Sequence, residues 1–138
     1  MAKRKSKKGF EEAFLNSYDF FYEQAVLCEN IFEERRYNEF NTHIGYCHGM
    51  YNHHSVLVIS DESKRTATIG FDKFYVGNQL NDLYHFIRKT LEKNNYDFEI
   101  MKKMIDVYKN ICSLDEKDIE YIYILYLYPE KFYKLSNQ

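Results

Sequence analysis

The first quarter of the chain has a regular spacing of apolar residues that strongly limits its fold. From Phe10 to Phe32, apolar side chains recur at steps of three or four residues: Phe10, Phe14, Tyr18, Phe21, Ala25, Cys28 and Phe32. This spacing places them on one face of an α-helix. A helix from Phe10 to about Tyr37 would be roughly 40 Å long at ~1.5 Å per residue. That length is large for a chain of 138 residues, and it suggests a strut in a larger assembly.

The pattern then changes to short runs of β-branched residues, which predict a β-hairpin. The runs are "SVLVIS" (residues 55–60) and "TATIGF" (residues 66–71), and the polar turn "DESKR" separates them. Helical spacing returns beyond Gly77. It predicts one helix through Leu80, Leu83, Tyr84, Ile87 and Leu91, and after Asn94-Asn95 a second through Phe98, Met101, Ile105 and Tyr108.

The segment "SLDEKDIEYIYILYLYP" (residues 113–129) would pass for a strand by propensity, but three signals favour a buried helix. Ser113 and Glu116 fit the S-x-x-E capping box, the apolar residues from Ile119 have helical spacing, and Pro129 supplies a stop. A short final helix is expected at "EKFYKL". We therefore predict a mostly helical α+β domain over residues 10–138, preceded by a basic flexible terminus at residues 1–9.

Composition excludes several classes of protein. A net charge of −2 argues against a generally basic nucleic-acid binder. The chain has no run of about 18 apolar residues and no apolar stretch after its positive start, so neither a membrane span nor a secretory signal is expected. Three cysteines at wide spacing favour synthesis in a reducing compartment. We expect a protein made in the cytoplasm.

A histidine-glycine loop, "CHGMYNHHSVLV" (residues 47–58), leads directly into the first predicted strand. With the order of elements around it, this loop resembles the C-terminal lobe of the aminoglycoside and choline kinase-like phosphotransferases. In that group the loop reads H-G-D-x-x-x-x-N, and the second strand ends in I-D-[WF]-[DE]. The resemblance is greatest to the CotS-type spore coat proteins of endospore-forming bacteria. It is carried by this loop, by "IGFDKFYVGNQLNDLYHFIRKTLEK" and by "LYLYPEKFYKLSNQ", within residues 44–138.

The resemblance implies a protein-kinase-like C-terminal lobe: a long helix, a loop with a β-hairpin, and three to four C-terminal helices. It also implies that the N-terminal lobe, with its nucleotide-binding lysine, is absent. The sequence contains neither G-x-G-x-x-G nor G-x-x-x-x-G-K-[ST] as a phosphate cradle. Either the chain is a fragment or remnant of a longer protein, or a separate polypeptide supplies the other lobe.

Three positions depart from the family pattern, and all three concern chemistry. Phosphoryl transfer needs a carboxylate to accept the substrate proton, and an Asn and an Asp as oxygen ligands for Mg²⁺. Met50, Ser55 and Gly70 occupy the matching positions. A thioether takes no proton near neutral pH and binds Mg²⁺ poorly, serine offers one neutral oxygen, and glycine offers none. Loss of the base alone typically costs about 10²–10⁴-fold in rate.

Asp72 does not replace the lost metal ligand in this interpretation. It lies two residues after Gly70 on the same side of the predicted strand, a displacement of roughly 6.6 Å. Bonds from Mg²⁺ to oxygen are near ~2.1 Å and tolerate little change. The resemblance instead matches Asp72 to the family's own acidic position. We expect no intact catalytic residue, no metal and no cofactor.

The resemblance implies structural roles for the residues that remain. His48 would brace the loop, Gly49 would permit its tight turn, and Asp82 would hydrogen-bond the loop backbone. A second interpretation makes Asp82 the N-cap of a helix beginning "LYHF", and the two are compatible.

The loop is also rich in potential zinc ligands, because His43, Cys47, His48, His53 and His54 lie within twelve positions. Their spacing matches neither C-x-x-C nor H-E-x-x-H, and adjacent histidines are awkward ligands for one ion. A zinc-dependent hydrolase is therefore a distant alternative, and we expect surface or loop-bracing histidines. A nucleophilic Cys47 is less favoured, since the sequence identifies no base for it.

These observations favour a non-catalytic kinase-like spore coat protein, a pseudokinase C-lobe made in the mother cell that acts in sporulation through protein–protein contacts. Its partners would be other coat proteins or a second copy. Exposed aromatic residues would make the contacts: Tyr121, Tyr123, Tyr126, Tyr128, Phe132 and Tyr133. The alternative is an ATP-dependent small-molecule phosphotransferase completed by a missing N-terminal lobe.

Overall fold

The computed structural model describes residues 2–39, 42–60 and 65–136, with backbone alone for residues 2–8 and Ser60. In these ranges the chain forms a mostly helical α+β structure, as predicted. The helices are α1 (Ala2–Glu34), α2 (Leu80–Lys93), α3 (Phe98–Lys109), α4 (Glu116–Leu127) and α5 (Glu130–Ser136). The strands are β1 (Ile44–Cys47), β2 (Val56–Ser60), β3 (Arg65–Thr68) and β4 (Tyr75–Asn78). The chain divides into two units, one containing residues 1–38 and 123–138 and the other residues 39–122.

The long helix α1 is present, and it is longer than predicted. It spans 33 residues, or about 50 Å at ~1.5 Å per residue. It begins at Ala2, so it includes the stretch predicted to be a flexible terminus. It ends three residues before Tyr37, because Arg36 adopts a positive φ of 54° and a short 3₁₀ turn follows. No helix in the described ranges is both long enough and apolar enough to cross a membrane.

Aromatic stacking fixes the contact between α1 and α5 in the first unit. The rings of Phe14 and Phe132 lie 4.6 Å apart and almost parallel, and Phe21 also stacks on Phe132 at 4.6 Å. The side-chain amide of Gln24 donates a 2.6 Å hydrogen bond to the carbonyl of Leu127 at the end of α4. The aromatic spacing of α1 therefore supplies the surface on which α5 packs.

The predicted hairpin is confirmed, but its second strand is shorter than expected. β2 pairs with β3 antiparallel, with Val56 opposite Thr68 and Val58 opposite Thr66. The predicted strand to Phe71 ends at Thr68 instead. Gly70 turns the backbone into the left-handed region, and Phe71–Lys73 form a 3₁₀ turn. Residues 61–64, most of the predicted turn, lie outside the described residues.

A second pair of strands was not predicted. β1 and β4 pair antiparallel, with Gly45 opposite Gly77 and Cys47 opposite Tyr75. Each has only four residues, and glycine is depleted in strands. The sequence therefore gives neither strand a recognisable alternation. β1 ends at Cys47, where the histidine-glycine loop begins, and β4 ends at Asn78, just before α2.

The helices α2 and α3 confirm the predicted spacing, but they differ in burial. α2 buries five residues: Leu80, Leu83, Tyr84, Ile87 and Leu91. It ends at Asn94, and Asn95 and Tyr96 then take positive φ angles of 51° and 57° that turn the chain. α3 begins at the N-cap Asp97, whose side chain accepts a hydrogen bond from the amide of Glu99. None of the residues of α3 is buried.

The buried helix α4 is confirmed, but its predicted cap is wrong. The amide of Asp118 donates to Oδ1 of Asp115 at 2.9 Å, and the amide of Asp115 donates to Oδ2 of Asp118 at 2.8 Å. This is the reciprocal pattern of a capping box, two residues later than the predicted pair of Ser113 and Glu116. The buried Asp118 carboxylate also contacts Nε2 of His43 at 2.9 Å.

Candidate functional site

The candidate site is the loop from His48 to Ser55, which joins β1 to β2 and which we call the HG loop. Asp82 anchors the start of the loop. Its Oδ2 accepts from the amide of His48 at 2.5 Å, and its Oδ1 accepts from the amide of Gly49 at 3.0 Å. Hydrogen bonds to a charged carboxylate are shorter and stronger than neutral ones. The contact expected between Asp82 and the loop backbone is therefore present.

The second interpretation of Asp82, as an N-cap, is wrong. α2 begins at Leu80, three residues before the expected start at "LYHF", and Asp82 lies within its first turn. The amide of Leu80 is satisfied instead by the side-chain oxygen of Asn78 at 2.9 Å. A carboxylate in the first turn is still favourable, because the N-terminus of a helix carries partial positive charge.

His48 holds the loop against the segment after β3. Its ring is buried, and its Nε2 lies 2.8 Å from the carbonyl oxygen of Ile69. The amide of Met50 donates to Nδ1 at 3.3 Å. Nε2 therefore carries the proton and donates, while Nδ1 accepts. Both ring nitrogens are occupied, which leaves no lone pair for a substrate proton or a metal ion.

Gly49 is required by the local geometry of the loop. Its φ is +82°, in the left-handed region that favours glycine. A Cβ atom built on it would lie 2.2 Å from the carbonyl oxygen of Lys73, far inside van der Waals contact. The backbone of the loop can therefore approach the 3₁₀ turn that ends at Lys73 because Gly49 has no side chain.

Asn52 organises the second half of the loop, and the sequence interpretation missed it. Its Oδ1 accepts from the amide of His54 at 2.9 Å, and its Nδ2 donates to the carbonyl of Met50 at 2.8 Å. Its own carbonyl accepts from the amide of Ser55 at 2.9 Å. Asparagine commonly bonds the backbone two residues on. The signal in the sequence is therefore an Asn two residues before His54, and it belongs to no catalytic motif.

The three positions that the resemblance matches to catalytic groups lie around one part of the loop. Ser55 is buried, and its carbonyl accepts from the amide of Ile69 at 2.9 Å, which places it beside Gly70. The carbonyl of Met50 lies 3.5 Å from the Ser55 hydroxyl. A Cβ on Gly70 would be 3.9 Å from the His48 ring. The three positions carry a thioether, a hydroxyl and a hydrogen atom, and the Met50 side chain is largely exposed.

Asp72 lies in the 3₁₀ turn Phe71–Lys73 and is exposed. The expected position on the same side of an extended strand as Gly70 is wrong, because Gly70 has φ 84° and ψ 41° and the turn follows at once. The distance argument from strand geometry therefore does not apply to it. The structure places Asp72 on the outside of the turn that packs against Gly49.

The histidines and Cys47 do not converge on one point. His43 contacts Asp118, and His48 contacts Ile69 and Met50. Cys47 is almost fully buried, and burial raises the pKa of its thiol, which lowers the fraction of thiolate. Within residues 2–39, 42–60 and 65–136, no group of three or more His, Cys, Asp or Glu side chains is placed to hold a metal ion.

His53 and His54 stack on each other with ring centroids 3.9 Å apart. Nζ of Lys93 lies 2.5 Å from Nε2 of His53. Burial, followed by the neighbouring charges of His54 and Lys93, lowers the pKa of His53. The ring is therefore neutral at neutral pH, and the lysine donates to it. These histidines are engaged with each other and with α2.

Comparisons of the chain with protein-family models, with curated proteins and with solved structures found no match.

Proposed function

We propose that this chain is a non-catalytic kinase-like protein of the CotS spore coat type, a pseudokinase C-lobe that acts through protein contacts in coat structure or assembly. One observation carries the proposal. Asp82 and His48 hold the HG loop by backbone hydrogen bonds, while the positions that phosphoryl transfer needs carry Met50, Ser55 and Gly70. The loop has its supporting contacts without its reactive groups.

The chemistry of the loop supports the absence of catalysis. His48 uses both ring nitrogens in hydrogen bonds and does not serve as a base. Asp72, the acidic residue nearest to Gly70 in sequence, is exposed on the outer side of its turn. In this reaction the metal ions and positioned charges supply most of the rate enhancement. A loop with neutral side chains at all three positions lacks both contributions.

The exposed apolar residues of the hairpin support a role in protein contacts. Leu57, Val58 and Ile59 are 47%, 64% and 59% exposed, so successive side chains on both faces of β2 meet solvent. A two-stranded sheet is marginally stable alone and presents unpaired edges.

The aromatic residues predicted to make contacts differ in their exposure. Tyr123 and Tyr133 are exposed, whereas Tyr121 is buried and its hydroxyl donates to Oδ1 of Asn81 at 2.8 Å.

Titration with Mg²⁺ and ATP tests the absence of catalysis. Calorimetry of the purified chain with ATP, with and without Mg²⁺, should give no Mg²⁺-dependent heat, and phosphate release should match the buffer rate. Mg²⁺-dependent ATP binding that disappears in Asp72→Asn would overturn the proposal and favour the ATP-dependent small-molecule phosphotransferase. Asp97→Asn on the distant α3 cap is the matched control for loss of one carboxylate.

Light scattering tests the contact role. We expect mass above the 16.8 kDa of one chain as concentration rises, and we expect Val58→Lys to reduce it. Asn30→Lys adds the same charge at an exposed polar position of α1 and should leave the association unchanged. A strictly monomeric chain at high concentration that also fails to bind a coat extract would contradict the proposal.

In the encoding organism, antibody detection should find the chain in the coat fraction of purified spores.

A further inference from the structure

A cavity of about 760 Å³ lies beside the HG loop in the second unit. Its walls come from the loop, α2 and α3, and they are mostly apolar and aromatic. The main contributors are His48, Tyr51, Phe86, Met104, Val107 and Tyr108. Sites for small molecules typically have volumes of about 300–1,000 Å³, apolar walls and a few polar groups. The cavity has the size and the composition of such a site.

α3 directs an apolar face towards the cavity, and none of the residues on this face is fully buried. Ile100, Met104, Val107 and Tyr108 fall at helical spacing on this face. Yet α3 buries none of its residues, while α2 buries five. A helix normally gains its stability by burying its apolar face against a neighbour. Here part of that face meets open space, which an apolar ligand would fill.

One charged side chain lies at the edge of this face and is exposed. Lys103 lies between Ile100 and Met104 and lines the cavity. It has no ion-pair partner among the residues that the structure describes. The other charged residue of the lining is Asp82, and both of its oxygens already accept backbone hydrogen bonds. Asp82 keeps its negative charge, and of the two charged side chains the one without a partner among the described residues is the cation, Lys103.

We propose that this cavity binds an amphipathic monocarboxylate, with its hydrocarbon body between α2 and α3 and its carboxylate paired with Lys103. The apolar walls supply most of the affinity, because burial of each methylene group is favourable. Lys103 selects the sign of the head group. An ammonium head group would meet repulsion there, and a nucleotide would place several charges against apolar walls that carry one free cation. Ligand binding here is independent of the proposed coat role.

Calorimetry with three ligands of equal chain length tests the assignment: decanoate, 1-decanol and decylammonium. We expect decanoate to bind most tightly, about three- to five-fold more tightly than decanol, as for a solvent-accessible ion pair. Decylammonium should bind more weakly than decanol. No binding of decanoate at millimolar concentration, or tighter binding of decylammonium, would overturn the proposal.

Two lysine variants locate the head group. Lys103→Met keeps an unbranched apolar stem, and it should reduce decanoate affinity to that of decanol while leaving decanol unchanged. Lys102→Met is the matched control, because Lys102 is exposed on the same helix but does not line the cavity. Equal loss of decanoate binding in both variants would show that the ligand binds elsewhere, and the proposal would fail.

A cavity-filling variant tests the position of the hydrocarbon. Met104→Trp should weaken decanoate and decanol together, with circular dichroism confirming that the variant is folded. Unchanged binding of both ligands would contradict the proposal. If decanoate does not bind the unaltered chain and Met104→Trp instead abolishes self-association, the cavity receives a second copy of the chain, and the proposal is wrong.

Discussion

At the scale of single residues, Asp82 contributes most to the shape of the HG loop. Its two oxygens accept from the amides of two consecutive loop residues, His48 and Gly49. A buried or partly buried donor that loses its partner costs more free energy than the bond itself contributes. Asp82 is therefore a structural anchor. Its replacement should lower the free energy of unfolding much more than the replacement of an exposed aspartate.

Replacing Asp82 with Asn should lower the free energy of unfolding by about 2–3 kcal/mol. Asparagine has one acceptor oxygen, and its NH₂ group would face the second amide donor. Urea denaturation followed by circular dichroism measures the change. Asp72→Asn removes an exposed carboxylate, and it should change stability by less than about 0.5 kcal/mol. Equal effects of the two variants would contradict the anchoring role.

Gly49 should be intolerant of any side chain. Gly49→Ala combines a left-handed backbone with a Cβ that would meet the Lys73 carbonyl at 2.2 Å, and we expect a loss of at least about 3 kcal/mol in unfolding free energy. Gly9→Ala is the control of opposite sign. Gly9 lies inside α1 with nothing within 4 Å of an added Cβ, so the same substitution should stabilise the chain by about 0.5–1 kcal/mol.

Sequence reasoning reached some residues of the site and missed others for a physical reason. Met50, Ser55 and Gly70 were singled out because the segments around them resemble the proposed phosphotransferase pattern. The role of Asn52 is a set of local backbone bonds, which no catalytic motif includes. The extended position assumed for Asp72 failed because the positive φ of Gly70 cannot be read from residue types alone.

At the scale of elements, helices were predicted well and short strands were not. A helix of three or more turns repeats its apolar spacing several times, as α2 does from Leu80 to Leu91. β1 and β4 have four residues each, which is too short for an alternation of apolar and polar residues to be recognised. Their pairing depends on contacts between residues about 30 positions apart, from Ile44 with Asn78 to Cys47 with Tyr75.

The cap of α4 gives a prediction that separates two candidate boxes. Asp115→Ala removes one half of the observed box and should cost about 1 kcal/mol. Asp118→Ala also leaves His43 without its carboxylate partner, and it should cost about 3 kcal/mol. Ser113→Ala should change stability by less than about 0.5 kcal/mol. Urea denaturation decides the order, and a larger loss in Ser113→Ala than in Asp115→Ala would restore the box predicted from the sequence.

At the scale of the whole molecule, the unusual content of tyrosine sets the behaviour in alkali. The chain has 14 tyrosines and no tryptophan, and burial is the first cause that raises the pKa of five of them: Tyr75, Tyr84, Tyr108, Tyr121 and Tyr128. For Tyr108 the pKa rises to about 12. A raised pKa in the folded state means that folding favours the neutral phenol.

The sign of the pH dependence follows from linkage. The contribution of Tyr108 to stability is complete below the unfolded pKa near ~10 and is lost as pH rises toward about 12. The free energy of unfolding from urea curves should therefore fall above pH ~10. In Tyr108→Phe this free energy should fall less steeply with pH. Tyr46→Phe changes an exposed ring and should follow the unaltered chain. Identical slopes for Tyr108→Phe and the unaltered chain would contradict the prediction.

The fold class was predictable from the sequence, whereas the cavity was not. A cavity depends on the distance between α2 and α3. The spacing of apolar residues within each helix does not determine that distance. One feature of the sequence is consistent with the cavity: Lys103 lies at the edge of the apolar face formed by Ile100, Met104 and Val107. A helix packed fully against a core would leave such a charge without water or a partner.

Main-chain atoms make most of the contacts that hold the HG loop. Residue 50 takes part through its amide and its carbonyl, and its side chain points to solvent with 51% of the residue exposed. A change of the side chain at residue 50 should therefore leave the loop folded, whereas changes at Gly49 or Asp82 should destabilise it. Over many generations the side chain at residue 50 can vary while the architecture of the loop persists.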